Sequence, residues 1–501
     1  MDSKREHDPD YSTITTILIF WLTFLLVYMN TRRQKRVPPG PTLFPIIGNL
    51  PSLISSDTLG GLNELRKQYG DIIGLYAGSK LFVFLYGYDT IHDALIKKGS
   101  QFMERAKPSF DKEEVVHTKG LIFTEGTRWK DGRSFTLAAL QDICYRDKGF
   151  TEQFVNDEVI ALKEIMLKFE HPFDIERYLN SGATNVIVQV VYGHRFDLDD
   201  SELYWFQKTI RDFAEVYMKR EVILNCLPVL QWFPCDILGI QKTRDTFTKV
   251  MVFLTNFIET LKRKSMQGRT SCTYVESYLD RIAANKSNGV ESTFDEDDLK
   301  IAAYHLIVAG SETTTSTVRW ILLHLIRNPH IQEKMFMEMT EILGGEPLSV
   351  ADRKRPPYVQ AVVLEGLRIS HVAPLGMPHT VRQDTLFRGF NIPEQCTVIP
   401  VLSSALKDPD VWEDPEEFKP ERFLNSDGSD IIVPKQFIPF SLGPRSCLGE
   451  TLARIEIFLF TAGLVQKLRF LPEKDCMLPD KKGVLATTLN AVSFKMRVVE
   501  R

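Results

Sequence analysis

The feature that most limits how this chain can fold is one long apolar helix, predicted over about residues 294–328. The run is far longer than an average helix. Thr293 and Glu296 form a capping-box pattern at its start, and Pro329 predicts its end. Apolar residues surround the helix on both sides of residues 309–314, and a helix that is apolar nearly all round runs through the middle of a protein. We therefore expect the rest of the domain to pack around this segment.

The centre of this helix interrupts the apolar pattern with small and polar residues, namely Ala309, Gly310, Ser311, Glu312, Thr313 and Thr314. Glycine costs about 1 kcal/mol in a helix interior, and a threonine hydroxyl competes for the carbonyl four residues back. One interpretation is a tolerated helix crossing whose threonines face solvent. The other is a notch in which a buried acid and a hydroxyl handle protons beside a cofactor. The residues alone leave both interpretations open.

A single cysteine occupies an unusual position in the stretch FSLGPRSCLGE, residues 440–450. Behind it, apolar residues recur at steps of four and three, as Leu448, Leu452, Ile455, Leu459 and Ala462. This spacing predicts one buried helix face, with Cys447 at the amino terminus of the helix. There the backbone N–H groups and the helix dipole are expected to lower the pKa of the thiol. Glu450 and Arg454 are predicted to pair on another face of the same helix.

The neighbours of Cys447 suggest that the loop lies against a bulky group. Gly443 and Gly449 carry no side chains, so the backbone of the loop can approach such a group closely. The guanidinium of Arg445 can bind a carboxylate through two N–H groups. Three roles fit the thiol from chemistry alone: a structural cysteine, a nucleophile or a metal ligand. A nucleophile requires a positioned histidine base, and none of the ten histidines lies in a recognisable partner motif.

Two further segments place opposite charges close together. In YVQAVVLEGLRIS, Glu365 and Arg368 lie three residues apart and therefore share a helix face. In FKPERFL, Glu421 and Arg422 follow a proline in a turn-like context. Pairs of this spacing are common on surfaces, but together these residues allow a buried carboxylate and guanidinium network.

Composition excludes one broad class of function. The 501-residue chain has a formal net charge of −4 and a pI near 6.3, so no basic excess supports nucleic-acid binding. Its seven cysteines are scattered, without a C-x-x-C pair, which indicates a reducing, cytosol-facing environment. Strand-like runs such as LFVFLYG occur between residues 43 and 90, whereas helical spacing dominates from about 90 to 330.

The amino terminus predicts a membrane anchor. Residues 11–30 carry no charge over a length that crosses a bilayer as a helix, and the basic stretch TRRQKR follows directly. We predict a lumenal segment over 1–10, a transmembrane anchor over 11–30, a basic and proline-rich hinge over 31–42 and a soluble body over 43–501. A cleaved signal peptide is the alternative, but the apolar run is longer than a signal core and no cleavage pattern follows.

Several motifs together resemble one family. FSLGPRSCLGE resembles the heme-binding loop of the cytochrome P-450 monooxygenases, AGSETT their oxygen-activating notch, EGLR their E-x-x-R pair and PERF the third arm of that network. PPGPTLFPIIGNLP, FMERAKP, WKDGR and MPHTVRQD resemble the animal microsomal branch. The likeness spans essentially the whole chain, in the same order and with similar separations. It implies one mainly α domain with a smaller β-rich part near both ends, behind an N-terminal transmembrane helix.

The resemblance also implies a cofactor and a set of site residues. The cofactor would be heme b, iron protoporphyrin IX, with Cys447 as the thiolate ligand of the metal. Thr313 would deliver protons with Glu312 or Ser311, and Ala309 and Gly310 would make room for dioxygen and substrate. The heme propionates would be held by Trp129, Arg133, Arg105, His379 and Arg445. Phe440 would pack near the sulfur, and Glu365, Arg368 and Arg422 would stabilise the fold around the loop.

The implied activity is insertion of one atom of dioxygen into a lipophilic organic substrate of steroid, fatty-acid, terpenoid or xenobiotic type. The segments expected to line the substrate pocket, roughly 106–126, 203–238, 304–313, 372–378 and 486–490, are apolar without a diagnostic charge. The implied electron donor is NADPH-cytochrome reductase, with cytochrome b5 as a further candidate partner. The implied location is the endoplasmic reticulum membrane, with a single span and the catalytic domain facing the cytosol. A heme-thiolate isomerase or peroxide-rearranging enzyme, and a non-catalytic heme sensor, are the alternatives.

Two positions depart from the pattern of the microsomal relatives. Pro444 and Gly132 occupy places where a basic residue is usual, and each removes a charge from the face expected to meet the reductase. Lys130, Lys435 and Arg454 are candidates to replace those charges. The stretch NCLPVLQWFPCDILG, residues 225–239, is predicted to form either a lipid-contacting entrance or ordinary core.

Overall fold

The computed structural model describes residues 11–30, 36–55, 57–107, 118–145, 150–227, 230, 236, 238–265, 273–346, 348–473 and 478–501. Its longer helices are α1 (Tyr11–Asn30), α3 (Thr58–Tyr69), α5 (Gly126–Tyr145), α6 (Phe150–Leu167), α7 (Glu176–Tyr192), α8 (Ser201–Cys226), α9 (Ile240–Ser265), α10 (Tyr274–Ser287), α11 (Glu296–Arg327), α12 (Pro329–Leu343), α13 (Pro357–Ser370) and α15 (Glu450–Lys467). Short helical turns are α2 (Leu50–Leu53), α4 (Tyr88–His92) and α14 (Ser403–Leu406), a π-helical turn at Asp93–Lys97, and 3-10 turns at Ala351–Lys354 and Pro420–Phe423.

The strands form a smaller part of the fold, close to both ends of the catalytic region. They are β1 (Ile72–Ala77), β2 (Lys80–Leu85), β3 (Glu104–Arg105), β4 (His379–Thr380), β5 (Thr385–Phe387), β6 (Phe390–Ile392), β7 (Thr397–Pro400), β8 (Leu468–Pro472), β9 (Gly483–Leu485), β10 (Leu489–Ala491) and β11 (Met496–Glu500). One sheet has the order β1-β2-β7-β4-β3, and its β2–β7 pair is parallel. The pairs β9–β10, β8–β11 and β5–β6 form separate antiparallel ribbons. The predicted class, mainly α with a smaller β part, is confirmed.

Helix α11 runs through the interior, as its apolar pattern predicts. It contributes to two separate apolar clusters. Around its carboxyl-terminal half, one cluster joins it to α6, α7, α13 and α15, and includes Val318, Ile321 and Leu322. Around its amino-terminal half, the other joins it to α5, α7, α9 and α10, and includes Leu299 and Leu306. The position of α11 is therefore determined from both ends, and its polar centre lies between two cores.

The ends of α11 confirm one sequence prediction and correct another. Pro329 ends the run by starting α12. The capping box predicted at Thr293 is wrong, because Asp295 is the N-cap and accepts a hydrogen bond from Asp298 N at 2.9 Å. The Thr293 hydroxyl instead donates to Asp131, at 3.0 Å. An aspartate closer to the first turn is an equally good cap and adds negative charge at the positive end of the helix.

The carboxylate and guanidinium network lies in the core. Glu365 and Arg368 are fully buried and pair through two hydrogen bonds of 2.7 and 2.8 Å. The Glu365 carboxylate also accepts from Arg422 Nε at 3.2 Å and from Lys419 N at 2.9 Å. The guanidinium of Arg368 donates further to carbonyls of the 406–417 segment. Glu421 is outside this network and pairs with Lys334 on the surface.

Helix α1 exposes its apolar side chains, including Leu18, Phe20 and Leu22. Within the part of the chain that the structure describes, no helix combines the length and the apolar content that crossing a membrane requires. The predicted lumenal segment 1–10, residues 31–35 of the hinge and most of the predicted entrance at 225–239 lie outside the described residues.

We expect the Glu365–Arg368 pair to matter far more for stability than a surface pair does. Glu365→Gln leaves the Arg368 guanidinium buried without its charge partner, and such losses cost about 3 to 5 kcal/mol. The free energy of unfolding, measured in urea by circular dichroism, should fall by that amount. Lys67→Met, which removes the exposed pair with Glu64, is the control and should change it by less than about 1 kcal/mol. Equal effects of the two substitutions would contradict the role assigned to the buried network.

Candidate active site

The cysteine loop is built from backbone contacts that require a glycine. Cys447 N donates to Phe440 O at 2.9 Å, and Ser446 N donates to Gly443 O at 3.0 Å. Gly443 has a φ of 79°, and a Cβ there would lie 2.2 Å from Leu95 O. A side chain at Gly443 is therefore excluded by sterics as well as by backbone conformation. The loop ends at Gly449, the N-cap of α15.

The thiol of Cys447 is accessible, unlike the buried free cysteines Cys144, Cys226 and Cys396. It nevertheless lies among many protein atoms, and this burial raises the pKa of Cys447 above its ordinary value. The N–H of Gly449 donates to the sulfur and opposes the shift, while the Glu450 carboxylate adds to it. The expectation of a lowered thiol pKa is therefore wrong, because desolvation outweighs the helix terminus. A bound metal cation would supply the stabilisation that the thiolate lacks.

The helix behind the cysteine follows its predicted face. Leu452, Ile455 and Leu459 are buried, and Leu448 packs against the same core. Arg454 and Glu450 form the predicted ion pair, at 2.9 Å. The Arg454 guanidinium also lies 4.8 Å from the centre of the Phe440 ring.

Three arginines converge beside the cysteine loop. Arg105 donates to Met377 O at 2.9 Å and to Arg445 O at 3.1 Å. Arg445 donates to Met103 O at 2.9 Å and to Thr124 O at 2.6 Å. Arg133 reaches the Ser446 hydroxyl at 3.4 Å. These partners are uncharged, and within the described ranges none of the three guanidinium groups forms an ion pair with a carboxylate.

Burial and mutual repulsion make this cluster electrostatically unfavourable. Burial, together with the charges of Arg445 and Arg133, lowers the pKa of Arg105 to about 9. Burial likewise lowers the pKa of Arg445 to about 10, although the carboxylates of Glu104 and Glu125 oppose this shift. Cations that are buried together require an anion nearby. The donor set therefore fits a group with two carboxylates, such as the propionates of heme.

Two aromatic residues complete the cationic site. The Arg445 guanidinium lies 4.0 Å from the centre of the Trp129 ring. His379 pairs with Arg105 across strands β3 and β4, and its Nδ1 lies 2.6 Å from Phe102 O. Burial and the Arg105 charge hold the pKa of His379 well below its ordinary value. An anion beside the ring would favour the imidazolium, in which both nitrogens donate.

The flat surface expected of the loop is present at one of its two glycines. A Cβ at Gly449 would meet no atom of the described residues within 4 Å, whereas Gly443 faces Leu95. On α11, Ala309 is exposed and Thr313 is half-buried, although residues 314–326 are buried. Gly310 faces α7 instead, because a Cβ there would lie 3.1 Å from Ile187 Cγ1. Gly310 therefore serves helix packing, and Ala309 is the small residue on the open face.

A loop at residues 118–125 joins the arginine cluster to this open face of α11. Thr124 O accepts from Arg445, and Leu121 N donates to His305 Nδ1 at 3.1 Å. Burial lowers the pKa of His305 to about 3, which keeps the ring neutral and able to accept. His305 is one helical turn before Ala309 and therefore on the same face. The cysteine loop, the arginines and the centre of α11 belong to one connected region.

The hydroxyl groups at the centre of α11 donate to backbone carbonyls of the same helix, whereas Glu312 has its partners on another segment. The Thr313 hydroxyl donates to Ala309 O at 2.7 Å, and the Ser311 hydroxyl donates to Ile307 O at 2.6 Å. Glu312 Oε1 instead accepts from Thr488 Oγ1 at 2.6 Å and from Asn490 Nδ2 at 3.1 Å. Sequence reasoning missed these two partners, since neither lies in a motif and both are more than 170 residues away.

Sequence reasoning also missed Glu456, a buried acid on α15. It shares a hydrogen bond with Thr314 of α11, and burial raises its pKa to about 8. The signal was present, because Glu456 is the one charged residue in the apolar run IEIFLFTAGLV. Glu456 links the helix that follows the cysteine to the helix that carries Thr313.

A mainly helical domain with an accessible thiol beside three arginines, none of which is ion-paired within the described ranges, has the features of a heme-thiolate oxygenase. Comparison with known proteins agrees. The cytochrome P450 family profile matches residues 38–496, and the chain belongs to this family. It is 35% identical to Cytochrome P450 2C44 of Mus musculus, over 97% of this chain and 98% of the relative. It is 34% identical to Cytochrome P450 2K4 of Oncorhynchus mykiss, over 92% of each chain. The protein is a cytochrome P450 monooxygenase, and heme is the cofactor of its family.

The raised pKa of Glu456 makes a prediction about pH. The pKa of the Glu456 carboxyl is about 8 in the folded protein, compared with an ordinary value of 4.5. Its contribution to stability is therefore fully present below pH 4.5 and is lost as the pH rises through 8, because the buried carboxyl must then lose its proton. Glu456→Gln keeps the shape but removes the titration. Between pH 5 and 8, the stability of the variant relative to wild type should rise by about 3 kcal/mol, as measured by urea unfolding at both values. Glu341→Gln, at an exposed position of α12, should give no such trend. If the difference in stability between Glu456→Gln and wild type did not change with pH, the raised pKa of Glu456 would be contradicted.

Proposed function

We propose that this protein is a membrane-anchored heme-thiolate monooxygenase that inserts one atom of dioxygen into a lipophilic organic substrate. Electrons would come from NADPH-cytochrome reductase, and cytochrome b5 is a further candidate donor. The observation that carries the site assignment is the accessible thiol of Cys447 next to the buried Arg105 and Arg445 and the half-buried Arg133, with no ion-paired carboxylate among the described residues. This combination suits a metal macrocycle that carries two acidic side chains.

In this proposal, the chain provides one ligand and one anion-binding site for the cofactor. Cys447 ligates the iron as a thiolate, and Phe440 packs near the sulfur to limit access of water. Arg105, Arg133 and Arg445 bind the propionates, together with His379 and Trp129. When bound, heme supplies oxygen activation, which thiolate donation favours. The uncharged hydrogen bonds of the arginines fix their orientation before the cofactor arrives, so little ordering is required on binding.

The open face of α11 would receive dioxygen and substrate. Ala309 leaves space, and the Thr313 hydroxyl is the nearest polar group on the same face, four residues further on. Its present hydrogen bond to Ala309 O leaves the oxygen free to accept from a water molecule. Thr313 would then pass protons onward, with Glu312 as the acid that replenishes them. The apolar character of the predicted pocket segments suits steroids, fatty acids, terpenoids or xenobiotics.

The proposed electron donor would approach the face that carries the cysteine loop. Two of the three basic residues considered there already have local contacts. Arg454 is paired with Glu450, and the Lys435 ammonium lies 5.3 Å from the centre of the Tyr88 ring. Neither contact buries the positive charge, so both side chains are able to interact with an acidic partner. Pro444 contributes shape but no charge to this face.

The membrane part of the proposal rests on the sequence of residues 11–30 and on the basic cluster that follows. The anchor would place the catalytic domain on the cytosolic side of the endoplasmic reticulum membrane. The apolar side chains of α1, such as Ile17, Leu18 and Phe20, are exposed. A lipid environment would remove them from water.

Ligation by Cys447 makes a spectroscopic prediction. The reduced protein with carbon monoxide should give the red-shifted Soret band of thiolate ligation, and Cys447→Ala should abolish that band. Cys144→Ala, which removes a buried cysteine of α5, is the matched control and should retain it. A folded wild-type protein with an unshifted band would overturn the assignment. Turnover that requires NADPH and the reductase would exclude the isomerase alternative.

The anchor makes a prediction about membrane association. A chain that lacks residues 1–30 should move from the membrane pellet to the soluble fraction after a high-salt wash, because about 20 apolar residues no longer enter the bilayer. Heme content should be unchanged. Retention of the shortened chain in the pellet would contradict a single anchor at this position. Leu22→Lys in the full chain should weaken association in the same direction, since a charge at the bilayer centre is costly.

A further inference from the structure

The side chain of Glu312 is held by a part of the chain that the known chemistry does not include. The turn between β9 and β10 places Thr488 next to the middle of α11. Thr488 Oγ1 lies 2.6 Å from Glu312 Oε1, and Asn490 Nδ2 lies 3.1 Å from the same oxygen. Asn490 Nδ2 also donates to Thr488 Oγ1 at 3.1 Å. The Glu312 carboxylate oxygen, the Thr488 hydroxyl and the Asn490 amide nitrogen therefore form a closed triangle of hydrogen bonds.

This hairpin is fixed along more than two turns of α11. Leu489 O accepts from Ser316 Oγ at 3.1 Å and from Trp320 Nε1 at 2.9 Å. Ala491 O accepts from Arg319 Nη1 at 2.7 Å. These contacts use backbone carbonyls of the hairpin, so they set its position whatever its side chains are. The backbone that carries Thr488 and Asn490 is therefore fixed against α11, and the geometry of their hydrogen bonds to Glu312 is correspondingly well defined.

The hairpin also contacts a second segment that sequence analysis assigned to the substrate pocket. Leu489 N donates to Val372 O at 2.8 Å, at the start of segment 372–378. The hairpin turn itself, residues 486–490, belongs to the same predicted pocket. A substrate that displaces either segment would therefore act on the donors of Glu312.

Glu312 also borders a small cavity whose lining is mainly apolar. Its volume is about 20 Å³, and its polar lining residues are Glu312, Asn180, Gln207, Arg211 and Ser311. A cavity of this size with several polar groups is sufficient for one water molecule. Arg211 also forms an ion pair with Glu176, at 2.5 Å. Glu312 therefore contacts the hairpin donors and lines a space large enough for water.

We propose that Thr488 and Asn490 are positioning residues that hold the Glu312 carboxylate for proton delivery, and that substrate contact with the hairpin adjusts this hold. The inference rests on the proposed function, in which Glu312 replenishes the protons used at Thr313. The two donors stabilise the anionic carboxylate in one rotamer. Without them, the carboxylate is free to leave this rotamer, proton delivery slows, and reduced oxygen is released as hydrogen peroxide before product forms.

The test compares Thr488→Val with Thr488→Ser in the full-length, heme-loaded protein with its reductase. Valine keeps the shape and loses the donor, so kcat should fall about tenfold, as expected for one hydrogen bond to a charged group, whereas the spectral Kd for substrate should change less than twofold. The share of NADPH electrons recovered as hydrogen peroxide should rise, and the solvent isotope effect on kcat should increase. Serine should restore wild-type values of all four quantities.

Asn490→Leu should reproduce the valine result, since it removes the second donor. Val484→Ala is the matched control: Val484 pairs directly with Asn490 across the hairpin, but its side chain is exposed. This variant should behave as wild type. A measurement that does not depend on turnover is the urea midpoint of the resting protein. There Thr488→Val and Glu312→Leu should be non-additive, because both remove the same contact.

The outcomes separate this inference from the proposed function. An intact thiolate band with unchanged peroxide release in Thr488→Val would overturn the inference and leave the proposed function standing. Additive effects of Thr488→Val and Glu312→Leu would overturn it as well, as would equal losses in the valine and serine variants, because those losses would be structural. A wild-type protein without the thiolate band would overturn the proposed function, and the inference with it.

Discussion

The arrangement of this molecule depends on buried cations that form no ion pair with a carboxylate of the described residues. Arg105 and Arg445 are held by backbone carbonyls of four different segments. Each carbonyl contact fixes orientation but neutralises no charge, and the lowered pKa values of both arginines express the remaining cost. A binding site that is complete in geometry and incomplete in charge favours an anionic ligand strongly. The packing of β3, β4 and the cysteine loop therefore holds the arginines in positions that favour binding of an anionic cofactor.

Helix α11 makes this arrangement possible because its two ends and its centre have different tasks. The ends are buried in separate apolar clusters, so the helix cannot shift without opening one of them. The centre is then free to expose Ala309 and to satisfy the hydroxyls of Ser311 and Thr313 by bonds to carbonyls four residues back. Such bonds weaken a helix locally, and the apolar flanks provide the stability that tolerates them. A polar notch inside a domain is sustained by the packing on either side of it.

Much of this could be predicted from sequence because the signals were local. The length of α11, the helix after Cys447 and the Glu365–Arg368 pair each follow from spacing along the chain. The cap of α11 was misplaced because Thr293 and Asp295 are both good caps and only tertiary contacts choose between them. The thiol pKa was predicted in the wrong direction because burial is a property of the folded loop. Thr488 and Asn490 were not predictable at all, since a bond from the carboxyl-terminal hairpin to Glu312 depends on topology.

Helix α11 is contacted by two different parts of the chain at successive levels along its length. At the first level, loop 118–125 joins the arginines, through Thr124, to His305, through Leu121. Further along the helix, the β9–β10 hairpin contacts Val372 and Glu312. His305 precedes Glu312 by two helical turns, so the two connections meet the same rigid element close to Ala309 and Thr313. Because protein interiors are close-packed, loop 118–125 and the hairpin are both held in fixed positions relative to the residues at the centre of α11.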